Sequence, residues 1–414
     1  MNKLLSATHR FQGYTVIEVM VYIAIVVIVI VFVTLSMVQM TKPIVHLSNT
    51  QRVNEVGEYV MDRIVRELRR GVVIDSFSAG NTAITYKIPL TFAERVKKDG
   101  AVAHWNFEET TGSTLVDKIG SVHGTIYNDP EQGSTAVVGN GYVFDGGSDG
   151  SKDYVQLPNN VFNAHNQGAV EVIAKLDSTA TNINSIFAFA LGSGPQPTIL
   201  HTTFKSINGN MRPAMYKTAE VIGNNSDYLL DTFYHIVYDY VSPNTNKIYV
   251  NGVEVPLTLN ATTGGWFNAA SNNGSQYYGI GVKVTGTTPG SLYEAFKGTV
   301  DELALYSTFT GSHDAAFWKN HYDAAWGIDN ENNVKQMSIS YDTNSNRVKF
   351  IDDGSESYLS NEKVKISALT LTPIVRDSTN IGAQIVISVV AGEGTPAEVS
   401  KTFQTAVMLR NPTI

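Results

Sequence analysis

The sequence predicts an α+β chain: a long N-terminal α-helix, an antiparallel sheet after it, and an all-β sandwich inserted into that sheet. Three observations predict this. The run from Val19 to Val38 carries no charge, and basic residues (Lys3, Arg10) precede it. Residues 51–70 follow with an apolar stripe at helical spacing. Beyond Gly71 the chain turns to short β-like runs separated by Gly, Asn, Asp and Ser, and its character changes between residues 100 and 329.

The elements follow in order. About 20 apolar residues at ~1.5 Å each match a hydrocarbon core of about 30 Å, so residues 19–38 suit a membrane-crossing helix. An ordinary secretory signal has a shorter apolar core with a small-residue cut site beyond it. Here the cut is expected before the apolar run, which then stays with the mature chain. A lone acid at the edge of such a span, Glu18, is costly without a partner. Val53, Val56, Val60, Ile64 and Leu68 recur at intervals of three and four, with Arg, Glu and Asp on the other face, as an amphipathic helix requires. Helical throughout, residues 14–70 would measure about 85 Å at 1.5 Å per residue. Pro43 is expected to kink the helix or interrupt its hydrogen bonding, and Gly71 to stop it.

The stretch Gly13-Tyr14-Thr15-Val16-Ile17-Glu18 with the span behind it resembles the class III leader of type IV pilins and type II secretion pseudopilins. The resemblance implies a leader at residues 1–13, cut by a prepilin peptidase between Gly13 and Tyr14, with N-methylation of Tyr14. It implies that Glu18 meets the terminal amine of a neighbouring pilin subunit in a fibre. It also implies a single-pass protein of the cytoplasmic membrane before assembly, and an extracellular pilus or secretion pseudopilus afterwards. Tyr14 departs from the family's usual phenylalanine.

Length and composition bound the rest. Of 414 residues, the anchor and helix leave enough for two globular units at roughly 100–200 residues per domain. The formal charge is −8, and becomes −10 when the two basic residues Lys3 and Arg10 leave with the leader. An acidic balance argues against nucleic acid as a partner, since phosphate binding depends on Lys and Arg. There is no cysteine, so no disulfide ties the extracellular part.

Val72-Val73-Ile74 and residues 83–88 read as first strands, and the runs MSISYD, NRVKFID, VKISALTLTPI, AQIVISVVA and KTFQTAVML as later ones. The late group resembles the C-terminal sheet of minor pilins and pseudopilins, so residues 71–99 and 330–414 are expected to form a pilin globular domain. Insertion succeeds at exposed turns whose ends lie close together. Residues 100–329 carry four pieces in order: His104-Trp105-Asn106-Phe107-Glu108-Glu109; Gly141-Tyr142-Val143-Phe144-Asp145-Gly146; Tyr234 to Tyr240 with Lys247 to Val253; and Phe296 to Tyr306. Together these resemble the LamG-like, concanavalin A-like jelly-roll family. KIYVNGVEV alternates apolar and polar residues around Asn251-Gly252, a strong hairpin signal, and two packed antiparallel sheets make a sandwich of this size.

Chemistry is sought in the insert. Glycoside hydrolysis needs two carboxylates a few ångströms apart. No Glu-x-Asp-x-Glu occurs, and adjacent Asp301 and Glu302 are expected to point to opposite faces of any strand, so they cannot serve as the pair. No nucleophile elbow or His-pair motif appears, and the nine histidines are scattered, most of them expected at the surface. The chain is therefore expected not to be an enzyme. The jelly-roll resemblance implies a structural calcium ion, whose oxygen ligands would come from Asp301, Asn106, Glu108 and Asp145. Trp266, Phe267, Tyr277 and Tyr278 lie in an Asn/Gly/Ser-rich stretch and are candidate stacking faces for a sugar, while Trp105 and Trp318 read as core. The expectation is a minor pilin that displays a LamG-like domain, at the fibre tip, for adhesion to a surface glycan or protein. The alternatives are a structural major subunit or a secretion pseudopilin.

Overall fold

The computed structural model describes residues 15–410, apart from 148–150, 160–167, 181–182, 192–198, 208–209, 217–219, 224–227, 242–244, 261–275, 285–291, 308–312, 329 and 361–363. Gly13, Tyr14, Trp266 and Phe267 thus lie outside the described residues. The chain divides into two compact units, residues 1–88 with 335–414, and residues 89–334. A long helix and antiparallel sheets that form a sandwich are present, as the sequence predicts.

The first unit is built on α1 (Val16–Arg69), a helix of 54 residues. Its start is a capping box: Thr15 Oγ1 accepts from the Glu18 N–H, and the Glu18 carboxylate accepts from the Thr15 N–H at 3.1 Å. This arrangement satisfies orphan amides of the first turn. Pro43 lies inside α1, which continues as one element. The helix does not end there, and the proline, lacking an N–H, leaves one backbone hydrogen bond unmade. Apolar side chains from Val16 to Leu47 are exposed, whereas Val53, Val60, Ile64 and Leu68 are buried. The buried stripe packs on a three-stranded antiparallel sheet (365–376, 379–391, 399–408) and shares one core with a five-stranded sheet ordered 73–77, 83–89, 334–342, 347–352, 355–358. Gly57 marks the closest approach: a Cβ there would stand 2.0 Å from the Phe403 ring. Glu67 is buried yet paired, with Arg63 at 2.9 Å and Arg70 at 3.0 Å.

The second unit is a sandwich. One sheet has nine strands, ordered 257–260, 220–223, 210–216, 199–207, 183–191, 276–280, 154–157, 124–127 and 114–115. The other is ordered 253–254, 245–250, 233–241, 168–176, 297–306, 140–145 and 131–135, with 103–105 also paired to 297–306. Trp105, Phe107, Tyr142, Phe144, Phe187, Tyr238 and Tyr278 fill the space between them. The outer face of the second sheet is covered by α2 (Phe92–Lys98) and α3 (Ala315–Trp326), through Phe92, Val96, Ile173, Val237, Tyr306 and Trp318. The Asn251-Gly252 hairpin turn is present, with both residues at positive φ (51° and 76°). The ends of the unit meet: the Leu90 N–H donates to the Asn333 carbonyl at 3.0 Å.

Candidate functional site

The strand Lys297–Tyr306 organises the chemistry. Its pairing with 168–176 shifts register between Val300 and Glu302, so Asp301 is the extra residue of a β-bulge. Val300 and Leu303 both join the sandwich core, which leaves Asp301 and Glu302 together on the outer, helix-covered side. The expectation that these acids face opposite ways is corrected. The period-two rule holds for a regular strand, and a bulge places two residues against one.

Asp301 Oδ2 accepts from the backbone N–H groups of Val137 (2.9 Å) and Val138 (2.8 Å). Its Oδ1 is buried with no hydrogen-bond partner among the described residues. Burial, then the neighbouring Glu302 charge, pushes the Asp301 carboxyl up to about 8. Glu302 is also pushed well up by burial and by Glu108, and lies 2.5 Å from His104 Nε2. Burial lowers His104 to about 4, so both partners are shifted toward their neutral forms. Glu108 grips the other side of the same turn, accepting from the Asn140 N–H and Nδ2, each at 3.0 Å. Asn106 Oδ1 is a second buried oxygen without a partner.

Of the four residues expected to bind calcium, Asp145 stands apart. It pairs across from Lys297, about 13 Å along the strand from Asp301 at roughly 3.3 Å per residue. There its Oδ1 accepts from the Gly147 N–H at 2.7 Å. Among the described residues no three His, Asp or Glu side chains converge on a metal position. Two buried oxygens, Asp301 Oδ1 and Asn106 Oδ1, lack a partner among the described residues, and Glu108 grips the same turn as Asp301.

A second cluster lies on the same sheet face. Glu171, fully buried, is met by His235 Nε2 at 2.6 Å, His321 Nδ1 at 2.9 Å and the Tyr306 hydroxyl at 2.5 Å. His321 Nε2 continues to Asp99 at 2.9 Å, and Asp99 to Arg95. Burial alone would raise Glu171, but the His321 and His235 contacts outweigh it and hold the carboxyl below the usual range. Burial likewise opposes the charge on His321, and Glu171 and Asp99 override it and raise its pKa. Three histidines depart from the expected majority at the surface: His104, His235 and His321 are buried. One signal was available. In Tyr234–Tyr240, His235, Val237 and Asp239 alternate with a fully apolar face, and the helical residues 315–318 foretold a cover for that side.

The aromatic candidates divide. Tyr278 is buried in the sandwich core, its ring stacked on Phe189 at 5.5 Å, so it fills space and presents no free face. Tyr277 sits nearly buried in a small cluster with Tyr154, Val282 and Leu292. Trp105 and Trp318 are core residues, as expected.

Comparison with known proteins bears on this unit. Residues 149–314 match the family model described as the concanavalin A-like lectin/glucanases superfamily. No curated protein matches the chain. Among solved structures, the chain is similar to domain 4 of AbnA, a GH43 extracellular arabinanase from Geobacillus stearothermophilus in complex with arabinotriose, at 19% identity and TM-score 0.37. That likeness covers 54% of this chain and 98% of that one. It is also similar to Trypanosoma rangeli sialidase, at 16% identity and TM-score 0.38, covering 54% of this chain and 32% of the sialidase. A SAP-like pentraxin from Limulus polyphemus gives 14% identity and TM-score 0.34, covering 54% and 96%. The expectation that the chain is not an enzyme is corrected: glycoside hydrolases stand among the similar chains. The bulge supplies the physical reason why the sequence argument failed, since two acids can share a face without Glu-x-Asp spacing. The region of residues 149–314 is that of a lectin- and glucanase-like sandwich.

Proposed function

We propose that this chain is a minor type IV pilin that carries a LamG-like sandwich for adhesion to a surface glycan or protein. The observation that carries the reading is the division of α1. One helix is long and apolar enough to cross a membrane, and its apolar side chains are exposed from Val16 to Leu47. From Val53 onward the same helix turns one stripe into the core of a β-unit. A helix with one half bare and the other half docked suits a subunit that leaves the bilayer to pack its bare half among its neighbours. In that reading the leader is removed between Gly13 and Tyr14 by a prepilin peptidase. The Glu18 carboxylate, now in its own capping box, exchanges Thr15 for the terminal amine of the next subunit. The lectin- and glucanase-like match of residues 149–314 supports the binding role.

Calcium belongs to the same proposal. Asp301, Asn106 and Glu108 would hold it, and it would neutralise the acids gathered at the bulge. A bulky sandwich is awkward to repeat along a packed shaft, so the subunit is placed at the tip. Immunogold against residues 89–334 on intact cells tests this: label at filament ends is expected, and even decoration along the shaft would make it a coat subunit.

A further inference from the structure

A cleft of about 470 Å³ opens away from both acid clusters, between residues 110–112 and 129–132. Local backbone shapes it. Asn128 and Asp129 both take left-handed conformations (φ 60° and 65°), which turn the chain sharply after the strand 124–127. Gly133 lets the next strand approach Thr110 closely, since a Cβ there would stand 3.2 Å from the threonine methyl. Gln132 Nε2 donates to the Gly112 carbonyl at 2.8 Å, tying the two walls and fixing the amide. Its Oε1 is left buried without a hydrogen-bond partner among the described residues. An unmet buried acceptor is costly, and Gln132 is one of the residues that line the cleft.

The remaining lining is of one kind. Thr110 and Thr111 bring hydroxyls, Asp129 and Glu131 bring carboxylates, and no lining residue is basic. Glu131 Oε1 is occupied by the Ser134 hydroxyl at 3.0 Å, which leaves its second oxygen for a ligand. Next along the chain, Tyr127 is partly exposed and lies flat on Tyr154, centroids 4.8 Å apart and planes 6° apart. Its position is thus fixed, as a sugar-stacking ring needs.

We infer that this cleft is a saccharide subsite for a non-acidic sugar, neutral or amine-bearing. The inference rests on the glycan-binding reading above and gives that reading a place and a charge preference. A carboxylate-bearing sugar would bring like charge against Asp129 and Glu131 without a cation to offset it, whereas hydroxyls and amines find acceptors throughout.

The test uses the full chain in detergent micelles against immobilised lactose, a glucosamine trimer and sialyllactose. Gln132→Leu and Glu131→Gln serve as variants, with circular dichroism to verify the fold. Lactose or the glucosamine trimer should bind in preference to sialyllactose, and each variant should weaken that binding about tenfold, the value of one hydrogen bond. Binding by the parent chain that both variants leave unchanged would overturn the cleft and spare the glycan reading. Preference for sialyllactose would overturn the charge argument. A folded chain that binds none of the three would sink the glycan reading and the cleft with it.

Discussion

Two groups of buried acids share the covered face of one sheet, and they titrate in opposite directions. Glu171 is ringed by His235, His321 and Tyr306, and its carboxyl is held low. Asp301, also fully buried, has two backbone donors on one oxygen and, among the described residues, no partner on the other, and its carboxyl rises to about 8. Burial is the same in both places, so the partners decide. The first group is a finished structural network that ties α2 and α3 to the sheet. The second leaves Asp301 Oδ1 without a hydrogen-bond partner among the described residues, on the turn that Glu108 also grips.

The largest effect should come from breaking the finished network. Glu171→Ala strands two histidines and a tyrosine, and should cost about 3–5 kcal/mol in denaturant unfolding, as expected for one partner removed from a buried charged set. A loss below about 1 kcal/mol would mean that the network is not charged as described.

The second effect is pH dependence, and the two groups give it opposite signs. Asp301 has its folded pKa raised, so the folded state holds a proton that the unfolded chain releases. Stability falls as pH rises from about 4, the unfolded carboxyl value, to about 8. Glu171, held low, contributes stability that is lost as pH falls through the acid range. The melting temperature of this unit should therefore peak in mild acid. Asp301→Asn should flatten the alkaline side and leave the acid side unchanged. Calcium at pH 8 should raise the melting temperature of the parent chain and leave Asp301→Asn unmoved; no rise in the parent would remove calcium from the proposal.

A smaller effect is expected at the turn held by both acids. Gly139 has φ 76°, and a Cβ there would stand 1.9 Å from Glu108 Oε1. Gly139→Ala should cost about 1–3 kcal/mol from strained backbone and should blunt any calcium response. The smallest belongs to the His104–Glu302 pair, whose partners are both shifted toward their neutral forms. His104→Gln preserves a neutral hydrogen bond and should cost at most about 1.5 kcal/mol, with little change in the pH profile.

Much of the fold was legible because it depends on local periodicity. The stripe Val53–Leu68, the uncharged run Val19–Val38 and the Asn251-Gly252 turn each state their own geometry, and each is found as expected. The covered face was less legible. His235 and Asp239 look solvent-facing by alternation until α2 and α3, drawn from opposite ends of the unit, close over them. The bulge at Asp301 was hidden for a similar reason, since it is a relation between two strands and leaves no spacing in either alone. Pro43 illustrates the limit of a local rule: it removes one backbone hydrogen bond, and the helix runs on through it. Asp301 and Glu108 grip one turn while Asp145 lies elsewhere, because sequence order does not report distance along a paired strand.

The most direct test of the central claim is the mass of the mature N-terminal peptide, taken from filaments sheared off cells that produce the full chain. The account predicts a peptide that begins at Tyr14 with one added methyl group. A chain that keeps residues 1–13, or one cut beyond the apolar run and absent from the filaments, would contradict it.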